Sequence, residues 1–70
     1  MIRHFQFENS TMLDSCSYDD ESEELTVTFN GGKSYTYIDV PRRVYDELIE
    51  AKSAGKYFNN CKNSLTLKTS

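Results

Sequence analysis

The segment LTVTFNGGKSYTYIDVP, residues 25–41, constrains the fold more than any other part of the chain. Two runs of alternating apolar and polar residues flank Asn-Gly-Gly, and glycines supply the positive φ angles that a tight hairpin turn requires. Pro41 then ends the second run, because proline has no N–H to give to a sheet and its fixed φ suits the first turn of a helix. The segment therefore predicts a β-hairpin followed directly by a helix.

The length of the hairpin turn decides which face of the sheet carries Tyr35 and Tyr37. A two-residue Gly31-Gly32 turn sends both tyrosines to the face opposite the apolar residues of LTVTF. A loop with one more residue puts both on that apolar face, as core residues. We expect the two-residue turn, because it is the shorter and more frequent solution. We also expect at least one tyrosine to be structural, and at least one to contribute to the interface with a partner or a second subunit.

Other runs of the sequence predict further strands. DSCSYD and ELTVTF are β-prone, and the crowded carboxylates of DDESEE between them suit a solvated hairpin loop. IRHFQF, close to the N-terminus, predicts one more strand. Together with the return strand KSYTYI, these runs predict an antiparallel sheet in which neighbours in sequence are neighbours in space.

The second half of the chain predicts helix. Val44, Leu48 and Ala51 recur at the spacing of an apolar helix stripe. The pattern is then interrupted, and Ser53 is suited to cap a second short helix or a kinked continuation. Residues 64–70 predict a tail or a short last strand.

We expect a single α+β domain over residues 1–70: a small antiparallel β-meander of three or four strands followed by one or two C-terminal helices. Domains this small commonly gain stability from a second subunit, so a homodimer is one expectation. No apolar run reaches the roughly 18 residues that span a bilayer, and the N-terminus lacks the apolar core of a signal peptide. Cys16 and Cys61 have no disulfide-framework spacing, so we expect reduced, buried thiols in a cytoplasmic protein without membrane association.

Charge is distributed unevenly along the chain. Residues 1–32 carry one basic and seven acidic side chains, whereas residues 33–70 carry seven basic and four acidic ones. The net charge of −3 argues against indiscriminate binding of nucleic acid, which depends on neutralising phosphates, but it leaves room for a local basic site. Separate acidic and basic surfaces can also steer a docking partner.

The sequence offers no catalytic constellation. His4 is the only histidine, and its distance along the chain from Cys16 and Cys61 gives no ground for a nucleophile–base pair. The three residues lack the spacing of a zinc motif, and the glycine pair follows a strand without opening a helix, unlike a phosphate-binding loop. We therefore expect no catalytic residues, no metal, no cofactor and no enzymatic activity.

In chain order, the segments STMLDSCSYD, LTVTF, GG, YTY, VP, VYDEL and AKSAGKYFN resemble the KTSC domain family. That family occurs at the C-terminus of some lysyl-tRNA synthetases and as small free-standing proteins of bacteria and phages. The resemblance covers residues 10–63 and implies a small α+β fold with no established activity. It says little about residues 64–70, which depart from the usual aromatic ending of the family.

Two tyrosines and four basic residues are the candidate binding residues: Tyr35, Tyr37, Arg42, Arg43, Lys52 and Lys56. The plainer explanation of the arginines is a solvated helix face with four-residue pairs to Asp46 and Glu47. We expect a small non-enzymatic interaction protein, a phage or bacterial accessory protein that binds a protein partner. The alternative is a nucleic-acid or nucleotide-binding module that uses the six candidate residues for stacking and phosphate contacts.

Overall fold

The computed structural model describes residues 1–8 and 10–68. Their elements in chain order are β1 (Ile2–Gln6), β2 (Leu13–Asp19), β3 (Glu24–Phe29), β4 (Ser34–Ile38), α1 (Arg42–Glu50), α2 (Ala54–Cys61), a 3-10 turn (Lys62–Ser64) and β5 (Thr66–Leu67). One sheet holds the five strands in the order β1-β2-β3-β4-β5, with every neighbouring pair antiparallel. The predicted α+β class is confirmed: a four-stranded meander precedes two helices. The two-residue β5 lies within the segment predicted as a tail or last strand, whose residues 69–70 lie outside the described residues.

The β3–β4 hairpin has a three-residue loop, so the expected two-residue turn is wrong. The backbone N–H of Phe29 donates to the carbonyl of Lys33 at 2.7 Å, and the N–H of Gly32 donates to the carbonyl of Phe29 at 3.0 Å. Asn30, Gly31 and Gly32 therefore form the loop. Both glycines have positive φ angles, +107° and +97°, which residues with a Cβ rarely adopt.

The longer loop reverses the face on which the tyrosines of the hairpin lie. Val27 lies opposite Tyr35 and Leu25 lies opposite Tyr37, so both tyrosines share the apolar face of the sheet. The helices pack on this face. A two-residue turn would instead have left an aromatic face open to solvent, and the cost of such an exposed apolar patch is a physical reason for the longer loop.

The hydrophobic core lies between the sheet and the helices. α1 buries Leu48, which belongs to the predicted stripe, and Tyr45, which does not. Of the other predicted stripe residues, Val44 is only partly buried and Ala51 lies just beyond the end of α1. α2 contributes Phe58, which is fully buried. From the sheet, the ring of Tyr18 stacks on the ring of Tyr45, with their centroids 5.4 Å apart. The domain is thus one sheet covered on one face by one helical layer.

Both predicted helix starts are present. Pro41 precedes α1 with a φ of −64° but an extended ψ of 148°, so the helix begins one residue later, at Arg42. Ser53 caps α2, because its side-chain oxygen accepts a hydrogen bond from the backbone N–H of Lys56 at 3.4 Å. Because α1 ends at Glu50 and α2 begins at Ala54, residues 51–53 join the two helices.

The two cysteines carry free thiols. Cys16 is 1% exposed, as expected for a small apolar filler of the core. Cys61 is only partly buried against the core, so the expectation of burial holds for it less fully. Among the described residues, no helix is long and apolar enough to cross a membrane.

Candidate functional site

A groove lies between the end of β1, the loop that follows it and the junction of the two helices. Its volume is about 530 Å³. Phe5 from β1, Phe7 from just after β1 and Met12 from just before β2 give it an apolar wall. Lys52 and Lys56 bring two positive charges from the helix junction. Concave sites with an apolar wall and a few polar groups are where proteins most often bind ligands and peptide segments.

The apolar wall of the groove consists partly of a pair of aromatic rings. The rings of Phe5 and Phe7 meet edge to face, with centroids 5.2 Å apart. Both side chains are only partly buried, and both line the groove. Their rings therefore offer apolar surface to a bound segment without any rearrangement of β1.

The groove depends on a close approach between α2 and the residues before β2. A Cβ atom at Gly55 would lie 3.1 Å from the Cβ of Met12, which is tighter than ordinary contact. Ser10 holds the segment before β2 in place, because its hydroxyl oxygen accepts hydrogen bonds from the N–H groups of Met12 (3.2 Å) and Leu13 (2.9 Å). The packing therefore leaves little room for a side chain larger than that of glycine at position 55.

The charges separate the groove from the acidic end of the molecule. Lys52 and Lys56 outnumber Glu8 among the groove residues, so the groove is net positive. The acidic β2–β3 loop lies at the opposite end of β1, where the Met1 ammonium group donates to Asp20 at 3.1 Å. A negatively charged segment is therefore attracted to the groove end and repelled from the loop end.

Tyr37 is a core residue, and Tyr35 lies at the margin of the core. Tyr37 is 9% exposed, and its ring meets the ring of Phe58 edge to face at 5.5 Å. Tyr35 is 41% exposed and packs edge to face on Phe29 at 5.7 Å. The prediction that at least one tyrosine is structural is confirmed for Tyr37. Tyr35 lines a shallow pocket of about 310 Å³, together with Lys33 and the hairpin loop.

Arg42 and Arg43 lie in the first turn of α1. Arg42 makes the predicted four-residue pair, with its Nε 3.7 Å from the Oδ2 of Asp46. Glu47, the predicted partner of Arg43, accepts a hydrogen bond from the Tyr57 hydroxyl at 2.7 Å. Burial and this carboxylate together raise the pKa of Tyr57 to about 12. Arg42 thus makes its predicted pair, whereas the carboxylate predicted to pair with Arg43 accepts from Tyr57.

The four basic candidates occupy two separate surfaces. α1 begins at Arg42 and its nine residues span about 13 Å at the usual helical rise, whereas Lys52 lies beyond its other end. The start of α1 lies beside the acidic loop, because the N–H of Val40 donates to the carbonyl of Glu23 at 2.9 Å. The arginines are therefore near acidic residues, whereas the lysines line the groove.

The face of the sheet away from the helices is polar. The hydroxyl oxygens of Thr26 and Thr36 are 2.9 Å apart, and Nδ1 of His4 lies 2.9 Å from Oγ of Ser17. The sequence analysis missed the His4–Ser17 pair, because only the β1–β2 register brings these residues opposite one another. The pair lies on an exposed surface and lines neither of the two pockets. Nucleophilic catalysis requires, besides such a pair, a site that orients the substrate and stabilises developing charge.

Cys16 and His4 face opposite sides of the sheet, since Cys16 pairs with Phe5 and adjacent strand residues alternate in direction. Burial raises the pKa of the Cys16 thiol to about 12, which keeps it protonated and unreactive at neutral pH. Among residues 1–8 and 10–68, no three His, Cys, Asp or Glu side chains are placed to hold a metal ion.

The fold and the groove define a small α+β domain with one sheet, one helical layer and a concave site at one end. Residues 9–61 match the KTSC domain, and the chain belongs to this family.

Two relatives of similar length come from bacteria. A protein of Tsukamurella paurometabola is 36% identical over 50 residues, which are 71% of this chain and 75% of that protein. An uncharacterized protein of Stutzerimonas stutzeri is 44% identical over 50 residues, which are 71% of this chain and 70% of that protein.

A longer relative and a solved structure complete the comparison. A lysine–tRNA ligase of Nostoc punctiforme is 35% identical over 49 residues, 70% of this chain but 9% of the ligase. The crystal structure of a KTSC domain protein from Yersinia pestis superposes with a TM-score of 0.87, covering 100% of this chain and 99% of that one. At 22% identity, this likeness supports the fold alone.

Proposed function

We propose that this protein is a non-enzymatic interaction protein, an accessory protein of a bacterium or a phage, that binds a segment of a protein partner in the cytoplasm. The groove beside β1 carries the proposal, because it combines an aromatic wall with two lysines. Its complement is an extended segment that carries apolar side chains next to Asp or Glu. The apolar residues pack on Phe5 and Phe7, and the acidic residues lie beside Lys52 and Lys56.

A protein segment fits this groove better than a nucleic acid does. Single-stranded nucleic acid is usually held by exposed aromatic rings beside a continuous basic track. Here the ring of Tyr37 is buried, and the arginines are separated from the lysines by the length of α1. The excess of acidic residues in the whole chain also opposes a phosphate backbone. Nucleic-acid binding through Tyr35 and the basic residues stays the alternative.

The remaining polar groups support a binding role over an enzymatic one. The buried Cys16 thiol is held in its protonated form, and the exposed His4–Ser17 pair lies outside the groove. Within the groove, the charged lining residues are Glu8, Lys52 and Lys56, which suit ion pairing with a bound chain.

Selection from a random peptide library displayed on phage, followed by binding titrations, tests the proposal. Selected peptides should combine acidic and apolar residues. Their affinity should fall by at least about tenfold for a Lys52→Glu/Lys56→Glu variant, because two favourable charge contacts become repulsive. The matched control is Arg42→Glu/Arg43→Glu, which makes the same change in net charge at the far end of α1, where acids suit the helix dipole.

Three results would overturn the proposal. The first is a library that yields no binding peptide. The second is an equal loss of affinity in the lysine and arginine variants, which would mean that only net charge matters. The third is tighter binding of single-stranded RNA or tRNA than of any selected peptide, which would favour the nucleic-acid alternative.

A further inference from the structure

Strand β1 is an edge strand with one row of unpaired backbone groups. In the described part of the chain it pairs on one side only, with β2. The carbonyl of Met1 accepts from Asp20, and the N–H of Phe7 donates to the carbonyl of Asp14. In an antiparallel ladder every second residue hydrogen-bonds to the neighbouring strand, so the backbone N–H and C=O groups of the odd-numbered residues of β1 point towards β2. The N–H and C=O groups of Ile2, His4 and Gln6 therefore point outward.

These three outward residues are arranged symmetrically about His4. We propose that two copies of the chain associate through β1, with antiparallel strands related by a two-fold axis at His4. His4 then pairs with His4 of the second copy. Ile2 of each copy pairs with Gln6 of the other copy. Each of these pairs exchanges two N–H···O=C hydrogen bonds, because the outward groups of both strands are in register. The two sheets become one continuous sheet.

The side chains of β1 are compatible with this pairing. Ile2 is 70% exposed, and in the dimer its side chain packs against Gln6 of the second copy. On the helix side, Arg3 lies opposite Phe5 of the second copy. The guanidinium group of Arg3 is held near Asp20, with Nε 3.4 Å from Oδ2, so the two copies do not bring free like charges together there.

The two edges of the sheet differ in how well they resist pairing. Natural sheets protect edges with very short strands, lysines, prolines, bulges or inward-pointing charged residues. The β5 edge has two residues and is followed by Lys68, whose ammonium group lies 3.2 Å from Glu24. The sequence of β1, IRHFQ, has five residues without lysine or proline, and the charge of its inward-pointing Arg3 is paired with Asp20. The register shift in the sheet lies between β2 and β3. The β1 edge is thus the one that accepts another strand.

A proline at an outward-facing position tests the proposal with little effect on the monomer. Gln6→Pro removes an N–H that points away from β2, so the β1–β2 ladder keeps its hydrogen bonds. Sedimentation velocity of the full chain should show a dimer for the wild type and a folded monomer for Gln6→Pro. A wild type that stays monomeric up to its solubility limit, or a Gln6→Pro variant that stays dimeric, would overturn the proposal.

Charge substitutions test the register and still decide the question if the proline variant unfolds. Ile2→Lys/Gln6→Lys places like charges opposite each other twice in the dimer, and Ile2→Lys/Gln6→Glu places opposite charges there. The first variant should dissociate at least about tenfold more readily than the second. Hydrogen exchange should also show slow amides at Ile2, His4 and Gln6 in the dimer. Equal assembly of the two variants, or fast exchange at these amides in the wild-type dimer, would contradict the proposed pairing.

Discussion

The hydroxyl group of Tyr18 donates a 2.6 Å hydrogen bond to the backbone carbonyl of Val40. Tyr18 lies in β2 and Val40 in the connection between β4 and α1, and both residues are fully buried or nearly so. The bond therefore joins the middle of the sheet to the start of the helical layer. Tyr45 of α1 stacks on the ring of Tyr18, so Tyr18 fixes both where α1 starts and which side of the helix is turned towards the sheet.

Tyr18→Phe should destabilise the fold by about 1 to 3 kcal/mol, because it leaves the buried carbonyl of Val40 without its donor. The ring stack on Tyr45 is retained, so the structure itself should not change. Urea unfolding monitored by circular dichroism measures the effect. Tyr35→Phe is the matched control, since Tyr35 is partly exposed, and it should change stability by less than about 0.5 kcal/mol. Equal effects would mean that the hydrogen bond contributes nothing.

The two thiols should react with a disulfide reagent at very different rates. Burial raises the pKa of Cys16 to about 12 and also raises the pKa of Cys61, which is less buried. A raised pKa lowers the thiolate fraction at any pH below it, so both should label slowly and Cys61 should label before Cys16. Unfolding in urea should make the labelling of both thiols rapid. Cys16→Ala and Cys61→Ala variants show which thiol produces the faster and which the slower phase of labelling. Immediate labelling of Cys16 in the native protein would refute its burial.

Local patterns in the sequence predicted the elements well. The alternation of apolar and polar residues predicted β3 and β4, and the spacing of Val44 and Leu48 predicted the inward face of α1. The hydroxyl group of Ser53 predicted the start of α2. Each of these signals lies within a few residues of the chain. The turn Asn-Gly-Gly was different, because it is compatible with a loop of two or three residues. Only the burial of the tyrosines by distant helices distinguishes the two.

The groove could not have been predicted from local patterns. Its aromatic wall comes from β1 and the residue just after it, and its lysines come from the helix junction and the start of α2, more than forty residues later. Lys52 and Lys56 were among the candidates because they are basic, but Phe5 and Phe7 were counted only as strand residues. Their association depends on the β1–β2 register and on the close approach of Gly55 to Met12, which are tertiary properties.

The hairpin loop should tolerate a deletion better than a substitution. Gly31→Ala should destabilise the protein by about 1 kcal/mol or more, because Gly31 has a φ of +107°. Deleting Gly32 leaves Asn30-Gly31, a favoured two-residue turn, and it keeps Phe29 paired with Lys33. The deletion should therefore keep the tyrosines on the core face and cost less than Gly31→Ala in thermal melts. A deletion that unfolds the protein would show that the three-residue loop itself is required.

Leu48→Ala should destabilise the fold by about 2 to 5 kcal/mol, because Leu48 is fully buried at the centre of the α1 face and the core is small. The comparison is Glu21→Ala in the acidic loop, where the side chain is exposed and its contact with the Met1 ammonium group is solvent-screened. That substitution should change stability by less than about 0.5 kcal/mol. Similar midpoints for the two variants in urea would contradict the assigned packing of α1.

The two hairpin tyrosines should behave differently although they lie two residues apart on one face. Tyr37→Ser removes a buried ring that packs on Phe58, so it should cost about 3 to 5 kcal/mol. Tyr35→Ser removes a ring that is 41% exposed but packs on Phe29, so it should cost about 1 to 2 kcal/mol, less than Tyr37→Ser, and leave a folded protein. Urea melts compare stability, and sedimentation compares assembly. If dimers form through β1, Tyr35→Ser should leave assembly unchanged, and any loss of partner binding in this variant would then assign Tyr35 to the partner surface. Equal stability losses at the two positions would mean that the observed β3–β4 register is wrong.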